Sequence, residues 1–170
     1  LKAGARLSNI VDGTALTVEY TRSNPMVYQH KIPTTTWESN RYNMGHYLKD
    51  NSDEIFLSLK YRPVRGVRLE LSHLLARKGK DYQEIIKEGT ESDYSEINSD
   101  EPRWGLPFMD EVRWEMQKTE FKGSWQIIND GYVYFSVIHR DISGADREKY
   151  LPPFLNHNGL SGKFGINYGF

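Results

Sequence analysis

Apolar and polar residues alternate with a period of two along most of this 170-residue chain. In the segment Ala15–Arg22 (ALTVEYTR), Leu, Val and Tyr occupy every second position and Thr or Glu fills the positions between them. This period is that of a β-strand, whose successive side chains point to opposite faces. Helical periodicity is confined to Asp81–Lys87. The pattern predicts an all-β, antiparallel protein with seven strands: Lys2–Ser8, Ala15–Arg22, Glu54–Arg62, Val67–Arg77, a strand that begins near Asp110, Tyr132–Asp141 and Gly162–Phe170.

The connections between these predicted strands alternate between short and long. Asp12-Gly13, Pro63–Gly66 and Asn129–Gly131 carry turn residues and make short connections. Ser23–Asp53 and Lys78–Met109 are long, as is the segment 142–160. Outer-membrane β-barrels alternate in this way, with short turns on the periplasmic side and long loops outside. We therefore expect a transmembrane β-barrel whose last strand ends on the periplasmic side.

The predicted number of strands indicates a piece of a larger barrel. A closed single-chain barrel of this type has an even number of strands, at least about eight, whereas seven are predicted here. An open sheet in lipid would leave backbone groups unpaired at several kcal/mol each. We therefore expect residues 1–170 to be the C-terminal part of one barrel domain, which pairs with an N-terminal part that precedes Leu1.

The polar side of the predicted strands carries charges that could pair across a wet lumen. We interpret them as a lumenal charge ladder that braces the wall rather than as catalytic groups. Its members are Glu19, Lys60, Arg68, Glu70, Arg113 and Glu115. The fifth strand is predicted to place Trp114 and Met116 on the apolar side, with a β-bulge within Lys118–Lys122. Aromatic residues near strand ends would form girdles at the membrane interfaces, although Tyr also favours any sheet: Tyr20, Tyr61, Trp114, Tyr132, Tyr168 and Phe170.

Composition removes several other classes of protein. There are no cysteines, which excludes disulfide scaffolds, thiolate catalysis and Cys-ligated zinc. The formal net charge of −1 and the dispersed basic residues give no support for a nucleic-acid partner. No apolar run approaches the roughly 20 residues of a membrane-spanning helix. The sequence shows no nucleophile–base pair, phosphate loop or diagnostic metal spacing, so we expect a protein that is not an enzyme and has no cofactor or metal.

The final residues, FGINYGF, place Phe164, Ile166, Tyr168 and Phe170 on one side of the last strand. This segment resembles the carboxy-terminal signal of outer-membrane barrels, which the barrel insertion machinery recognises. Two further segments, Glu19–Pro33 and Tyr42–Pro63, are similar to the C-terminal half of the Wzi-type capsule-assembly proteins. The shared elements are Asn-Pro-x-x-Tyr-x-His, Gly-His-x-Leu and Asn-x-Asp-Glu ahead of a strand.

The Wzi-type resemblance implies an outer-membrane lectin of a Gram-negative bacterium that holds exported polysaccharide at the cell surface. Candidate polysaccharide-binding residues lie in the first long connection, where the alternative is a loop that plugs the lumen: Tyr28, His30, Trp37, Tyr42, His46 and Tyr47. The acidic run Asp50–Glu54 is interpreted as a solvated strand entrance rather than a calcium loop. A porin-like channel for small solutes and a soluble β-sandwich binding module remain open alternatives.

Overall fold

A computed structural model describes residues 1–25, 27, 28, 38, 39, 42, 43, 45–81, 84, 107–150 and 157–169. These residues form nine strands and one short helix: β1 Lys2–Ser8, β2 Thr14–Ser23, β3 Glu38–Ser39, β4 Tyr42–Asn43, β5 Ser52–Tyr61, β6 Val67–Lys78, β7 Trp114–Ile128, β8 Gly131–Ser143, α1 Arg147–Tyr150 and β9 Gly159–Tyr168. Within this part of the chain, no helix has the length and apolar character needed to cross a membrane.

Seven of the strands form one antiparallel sheet in the order β1-β2-β5-β6-β7-β8-β9. Each strand pairs with the strand that precedes or follows it within the sheet, so the predicted all-β, antiparallel arrangement is confirmed. β3 and β4 form a separate two-stranded ribbon inside the first long connection. The sheet is not closed into a barrel, and among the described residues β1 and β9 are its two edges.

Short and long connections lie at opposite ends of the sheet. The short ones join β1 to β2, β5 to β6 and β7 to β8, and the long ones join the remaining neighbours. Gly13 is required in the first turn: its φ is 76°, and a Cβ there would lie 2.5 Å from the carbonyl oxygen of Arg62. Asp130 has a φ of 61° in the third turn, a conformation that Asp tolerates better than most residues.

Directly opposite residues on paired strands share a face, so the register divides the side chains into an apolar face and a polar face. One complete row of the apolar face consists of Leu7, Leu16, Leu59, Leu71, Phe121, Val137 and Gly162. Some large hydrophobic residues on this face, such as Leu16, Ile55 and Leu69, are half-buried, whereas fourteen are 39–73% exposed. The fourteen are Leu7, Val18, Leu57, Leu59, Tyr61, Leu71, Phe121, Trp125, Phe135, Val137, Leu160, Phe164, Ile166 and Tyr168.

The buried residues are mostly polar, which inverts the usual arrangement of a water-soluble protein. Among the residues whose burial the structure describes, four hydrophobic ones are buried: Leu48, Ala76, Trp114 and Ile142. Nine polar or charged residues are buried, and Ser58, Ser72 and Glu120 among them lie on the polar face. The four hydrophobic residues form a small loop-end core under the long connections, with Met116 and Tyr150 packed against it.

The loop-end core explains why two predictions for the fifth strand are wrong. Trp114 and Met116 lie on the polar face, because they are in register with Lys78 and Ala76 and pack under the long connections instead of joining the apolar face. No bulge lies within Lys118–Lys122, where pairing with β6 and β8 is continuous. The register shift occurs instead between Gln126 and Ile128, beside the turn.

Aromatic rings lie over two glycines on neighbouring strands, one pair on each face. On the apolar face, a Cβ at Gly123 would come within 2.3 Å of the Phe135 ring. On the polar face, a Cβ at Gly165 would come within 2.2 Å of the Tyr134 ring. Gly123 is paired directly with Phe135, and Gly165 is paired directly with Tyr134. Each ring therefore covers backbone where a larger residue would place its side chain.

Candidate functional site

Three of the predicted polysaccharide-binding residues lie together at the long-connection end of the sheet. The backbone N–H of His46 donates to the Tyr28 hydroxyl at 2.9 Å, and the Tyr28 ring lies over Gly45, where a Cβ would come within 2.1 Å of it. The His46 and Tyr47 rings are 4.7 Å apart between centroids. His30 and Trp37 lie outside the described residues. Tyr42 is in β4, and its side chain lies outside the description.

The Tyr47 side chain is held in place by the start of β5. Its hydroxyl donates a hydrogen bond to the Glu54 carboxylate, while the residue as a whole remains 61% exposed. Burial of the hydroxyl, its hydrogen bond and the charge of Glu54 all raise the pKa of Tyr47. Burial lowers the pKa of His46, and the nearby Glu54 charge opposes part of that effect. Tyr47 therefore presents a neutral aromatic surface beside a neutral imidazole at pH 7.

Tyr47 also lines a cavity of about 380 Å³, the loop-end cavity, between the first long connection, β6, β7 and α1. The aromatic residues of the lining are Tyr47, Trp114 and Tyr150. Its charged groups are Lys49, Lys78, Asp81 and Lys149, and Leu48 and Met116 complete it. A mainly apolar cavity with a few convergent polar groups is the usual form of a small-molecule site. Aromatic surfaces beside charged hydrogen-bonding groups suit a sugar ring, which has apolar faces and a polar edge.

The charged groups of the loop-end cavity are positioned by one another. Lys149 on α1 lies 2.7 Å from Asp81 and 3.2 Å from Glu84, and the buried Lys78 ammonium lies 3.1 Å from Asp81. Lys78 also donates to the Asp50 carbonyl at 2.8 Å. Burial alone would raise the pKa of Asp81, but the hydrogen bond from Lys149 and the charge of Lys78 hold it below its usual value.

Trp114, which lines this cavity, carries an unused hydrogen-bond donor. The residue is 2% exposed, and its indole Nε1 has no hydrogen-bond partner among the described residues. A buried indole N–H normally finds an acceptor. A ligand hydroxyl in the loop-end cavity would supply that acceptor. No sequence signal distinguishes Trp114 for this role, because it is one member of a regular alternation.

Asn51, within the acidic run Asp50–Glu54, has a structural role that the sequence did not indicate. It is fully buried, with a φ of 49°, and its side chain accepts from the Met109 backbone N–H at 3.0 Å and donates to the Lys80 carbonyl at 3.1 Å. Its backbone N–H donates to the Asn24 carbonyl at 3.3 Å. Asn51 thus ties the first long connection to the second, beneath the loop-end cavity.

The acidic run that contains Asn51 is also buried, which corrects the prediction of a solvated strand entrance. Asp50 and Asp53 are each 4% exposed. Asp53 accepts two hydrogen bonds from Arg77, at 2.9 and 2.5 Å, which compensate for burial of its charge. Among the residues that the structure describes, no group of three or more His, Asp or Glu side chains could hold a metal ion.

The predicted charge ladder is divided by the structure. Glu19, Lys60, Arg68 and Glu70 lie on the polar face, where Lys60 is 3.7 Å from Glu70 and Glu19 is 3.1 Å from Lys2. Glu115 lies in register with Arg77, on the side of the sheet that carries the apolar face, and Arg113 precedes β7 and pairs with Glu111. The placement predicted for Arg113 and Glu115 is wrong, because the alternation of β7 is opposite to the one expected.

Glu120 is a central member of the charge ladder that was not predicted from the sequence. It is 8% exposed and lies 3.2 Å from Lys122 and 3.6 Å from Lys118, and it accepts a hydrogen bond from Ser136 at 3.0 Å. Its neighbour across the sheet is Ser72. A continuous alternation through Lys118–Lys122 would have identified Glu120 as a polar-face residue.

Three of the four residues predicted as a carboxy-terminal signal, Phe164, Ile166 and Tyr168, lie on the apolar face of β9. Phe164 and Ile166 are 69% and 71% exposed, and Tyr168 is 54% exposed. Phe170 lies outside the described residues. Comparison of the chain with protein-family models, with curated proteins and with solved structures found no match.

Proposed function

We propose that this chain forms part of the wall of an outer-membrane β-barrel that binds or anchors exported polysaccharide at the surface of a Gram-negative bacterium. The observation that carries the proposal is the inverted sheet, with large hydrophobic residues exposed on one face and Ser58, Ser72 and Glu120 buried on the polar face. In this arrangement lipid covers the apolar face and the polar face lines the lumen. The long connections lie outside the cell, and the short turns and the end of β9 lie on the periplasmic side.

The size of the exposed apolar face supports a lipid cover. Soluble monomers rarely expose contiguous apolar patches beyond a few hundred Å². Here fourteen large side chains on one face are at least 39% exposed. Removing such side chains from water contributes roughly 1.5–3 kcal/mol for each one fully buried, so a cover over this face is worth on the order of 20 kcal/mol.

Polar side chains on the apolar face are concentrated toward its loop end, where His73, Thr119, Gln117, His139 and Asp141 lie on β6, β7 and β8, and some of them satisfy one another. The His73 Nδ1 lies 2.9 Å from the Thr119 hydroxyl on the neighbouring strand. Such pairing removes exposed hydrogen-bonding groups, as a hydrocarbon environment requires. The charged Arg77, Asp53 and Glu115 lie at the loop end of the sheet, beyond the apolar rows, where headgroups and water would meet them.

The open edges of the sheet fit a wall that continues into further strands. β1 and β9 each have one strand partner among the described residues. In lipid, the unpaired N–H and C=O groups of such an edge would cost several kcal/mol each. Further strands, supplied in this proposal by an N-terminal part of the barrel, would pair with both edges. The barrel insertion machinery would then recognise the apolar residues of β9.

The loop-end cavity supports polysaccharide as the ligand. Aromatic rings, an unpaired indole N–H and a fixed carboxylate–ammonium cluster meet at the outer end of the sheet, where an exported chain would pass. A second candidate function is a porin-like channel for small solutes. It is favoured by a groove of about 600 Å³ in the polar face, which would open onto the lumen.

The position of the membrane can be tested with single cysteines, because the chain has none of its own. Spin labels would be attached to the full-length protein in lipid vesicles at Leu71→Cys and Phe121→Cys on the apolar face, and at Arg68→Cys and Lys122→Cys on the polar face. We expect the first pair to collide preferentially with oxygen dissolved in lipid and the second pair with a water-soluble nickel chelate. Equal access of the chelate to all four labels would refute the membrane assignment and favour a soluble binding module.

Polysaccharide binding requires a separate test on the same protein. Neutral and acidic bacterial oligosaccharides would be titrated into the detergent-solubilised protein while heat release is measured. Tyr47→Ala should weaken binding because it removes an aromatic wall of the loop-end cavity, whereas Tyr20→Ala, on the apolar face of β2, should leave it unchanged. Binding that is insensitive to Tyr47→Ala would exclude the loop-end cavity as the site.

A further inference from the structure

A groove of about 600 Å³ lies in the polar face, at the end of the sheet with the short turns. It is at the opposite end from the loop-end cavity. β5, β6, β7, β8 and β9 all contribute to its lining, which includes Arg62, Arg68, Lys163 and Tyr134. Two smaller cavities continue it around Arg62, toward Arg65 on one side and Arg6 on the other.

The charge of this groove is strongly one-sided. Seven cationic side chains line these three cavities, which share Arg62, against two carboxylates, Glu70 and Glu120. The whole chain, in contrast, has a formal net charge of −1. The excess of positive charge is therefore a local feature of this end of the sheet.

Both carboxylates are already engaged by neighbouring groups. Glu70 lies 3.7 Å from Lys60 and accepts a hydrogen bond from Ser58 at 3.0 Å. Glu120 lies 3.2 Å from Lys122 and is 8% exposed. Among the described residues, Arg62, Arg68 and Lys163 form no ion pair. Their charges are free to meet an anion that enters the groove.

Tyr134 adds an aromatic surface beside these cations. Its ring lies over Gly165, where a Cβ would come within 2.2 Å of it, so the missing side chain of Gly165 makes room for the ring against β9. The Lys163 ammonium lies 5.7 Å from the ring centroid. An aromatic surface beside several guanidinium and ammonium groups matches a sugar ring that carries an oxyanion.

We propose that this groove is a binding site for an acidic saccharide, with Tyr134 against the sugar ring and Arg62, Arg68 and Lys163 around its carboxylate, sulfate or phosphate groups. Arginine suits this role because its planar donors can form two parallel hydrogen bonds to such a group. The inference goes beyond the polysaccharide site at the loop-end cavity. It requires only that the polar face be accessible to solute, whether that face borders a lumen or open water.

The test uses the full-length protein in detergent and titrates it with oligogalacturonate, with a neutral maltooligosaccharide of equal length and with inorganic phosphate. We expect oligogalacturonate to bind most tightly and its affinity to fall as salt is added. The variant Arg62→Gln/Arg68→Gln should bind it roughly tenfold more weakly, because two charge-assisted contacts are lost. Tyr134→Leu should also weaken binding of the saccharide, without affecting that of phosphate.

The matched control is Lys2→Gln/Arg147→Gln, which removes two positive charges outside the groove and should bind like the wild type. Near-ultraviolet circular dichroism confirms that each variant is folded. Equal affinity of Arg62→Gln/Arg68→Gln and wild type would overturn the proposal, as would equal affinity for the neutral and acidic chains. Phosphate binding as tight as that of oligogalacturonate would overturn the saccharide assignment. Failure of the lipid-access test leaves these outcomes unaffected, so the two proposals can fail separately.

Discussion

A charge placed on the apolar face tests the membrane assignment quantitatively. Leu71 lies midway between Val67 and Leu75, the first and last hydrophobic residues of β6 on the apolar face, and it is 47% exposed. We predict that Leu71→Arg strongly destabilises the protein in lipid, because the guanidinium would sit in hydrocarbon. In a sheet whose apolar face borders water, the same substitution at a half-exposed position would change stability by no more than about 0.5 kcal/mol.

The expected magnitude follows from the position of Leu71 along the strand. Val67 to Leu75 spans eight residue steps, or roughly 26 Å at ~3.3 Å per residue, and roughly 20 Å across the membrane at a tilt of ~40°. Leu71 therefore lies close to the bilayer midplane and Val67 close to an interface. Arginine on the lipid face costs about 2–4 kcal/mol at the midplane and about 0–1 kcal/mol near the interfaces. Val67→Arg is thus the matched control.

The measurement is equilibrium unfolding of the full-length protein in lipid vesicles, followed by tryptophan fluorescence during denaturant titration. The free energy of unfolding should fall by about 2–4 kcal/mol for Leu71→Arg and by at most about 1 kcal/mol for Val67→Arg. Equal losses for the two variants, or a loss below about 0.5 kcal/mol for Leu71→Arg, would refute the reasoning. The difference between the variants is decisive, since both introduce the same side chain on the same strand.

Three further predictions concern packing, pH and ligand binding. Gly123→Ala should lower the free energy of unfolding by about 1–3 kcal/mol, because its Cβ would press on the Phe135 ring; a double-mutant cycle with Phe135→Leu should recover most of the loss. Folding holds the pKa of Asp81 below its ordinary 3.8. The ionised carboxylate therefore stabilises the folded protein above pH 3.8, and this stabilisation is lost as the pH falls through the lower pKa of the folded state. The stability difference between wild type and Asp81→Asn, measured by unfolding at a series of pH values, should therefore shrink below pH 3.8. Trp114→Phe should weaken saccharide binding about 2- to 10-fold in calorimetry while costing less than about 1.5 kcal/mol of stability, since no protein hydrogen bond is lost.

Three outcomes would contradict these predictions. If Gly123→Ala lowered the free energy of unfolding equally in the wild type and in Phe135→Leu, the Phe135 ring would not be what excludes a side chain at position 123. A pH-independent difference between wild type and Asp81→Asn would show that the carboxylate is not stabilised in its ionised form. Unchanged saccharide affinity of Trp114→Phe would mean that the indole N–H does not meet the ligand.

The strands were predictable because each carries its own local signal. β1 was predicted at its observed bounds, Lys2–Ser8, and the turn at Gly13 was identified from a residue pair that tolerates positive φ. Register in β7 was not predictable from alternation alone. Trp114 is large and apolar and reads as a member of the apolar face, but a small core under the long connections draws it to the other side of the sheet.

The candidate site was predictable only in part, for a physical reason. Aromatic density identified Tyr47, which does line the loop-end cavity. Trp114 and Tyr150 reach the same cavity from β7 and α1, and no local pattern reports a contact between residues so far apart in the chain. Asn51 joins the two connections through its positive φ and through hydrogen bonds that involve both polar atoms of its side-chain amide. In the sequence, it cannot be distinguished from an exposed loop asparagine.

The separation of tight turns from long connections has a consequence for how this protein can change over time. Register is set at one end, where turns such as that at Gly13 admit few alternatives. Residues can be added to the connections at the other end without displacing any strand. We therefore expect homologous chains to diverge in length between β6 and β7 while keeping the length of their hairpins. The long connections would then vary among homologues, while the strands and their short turns stay the same.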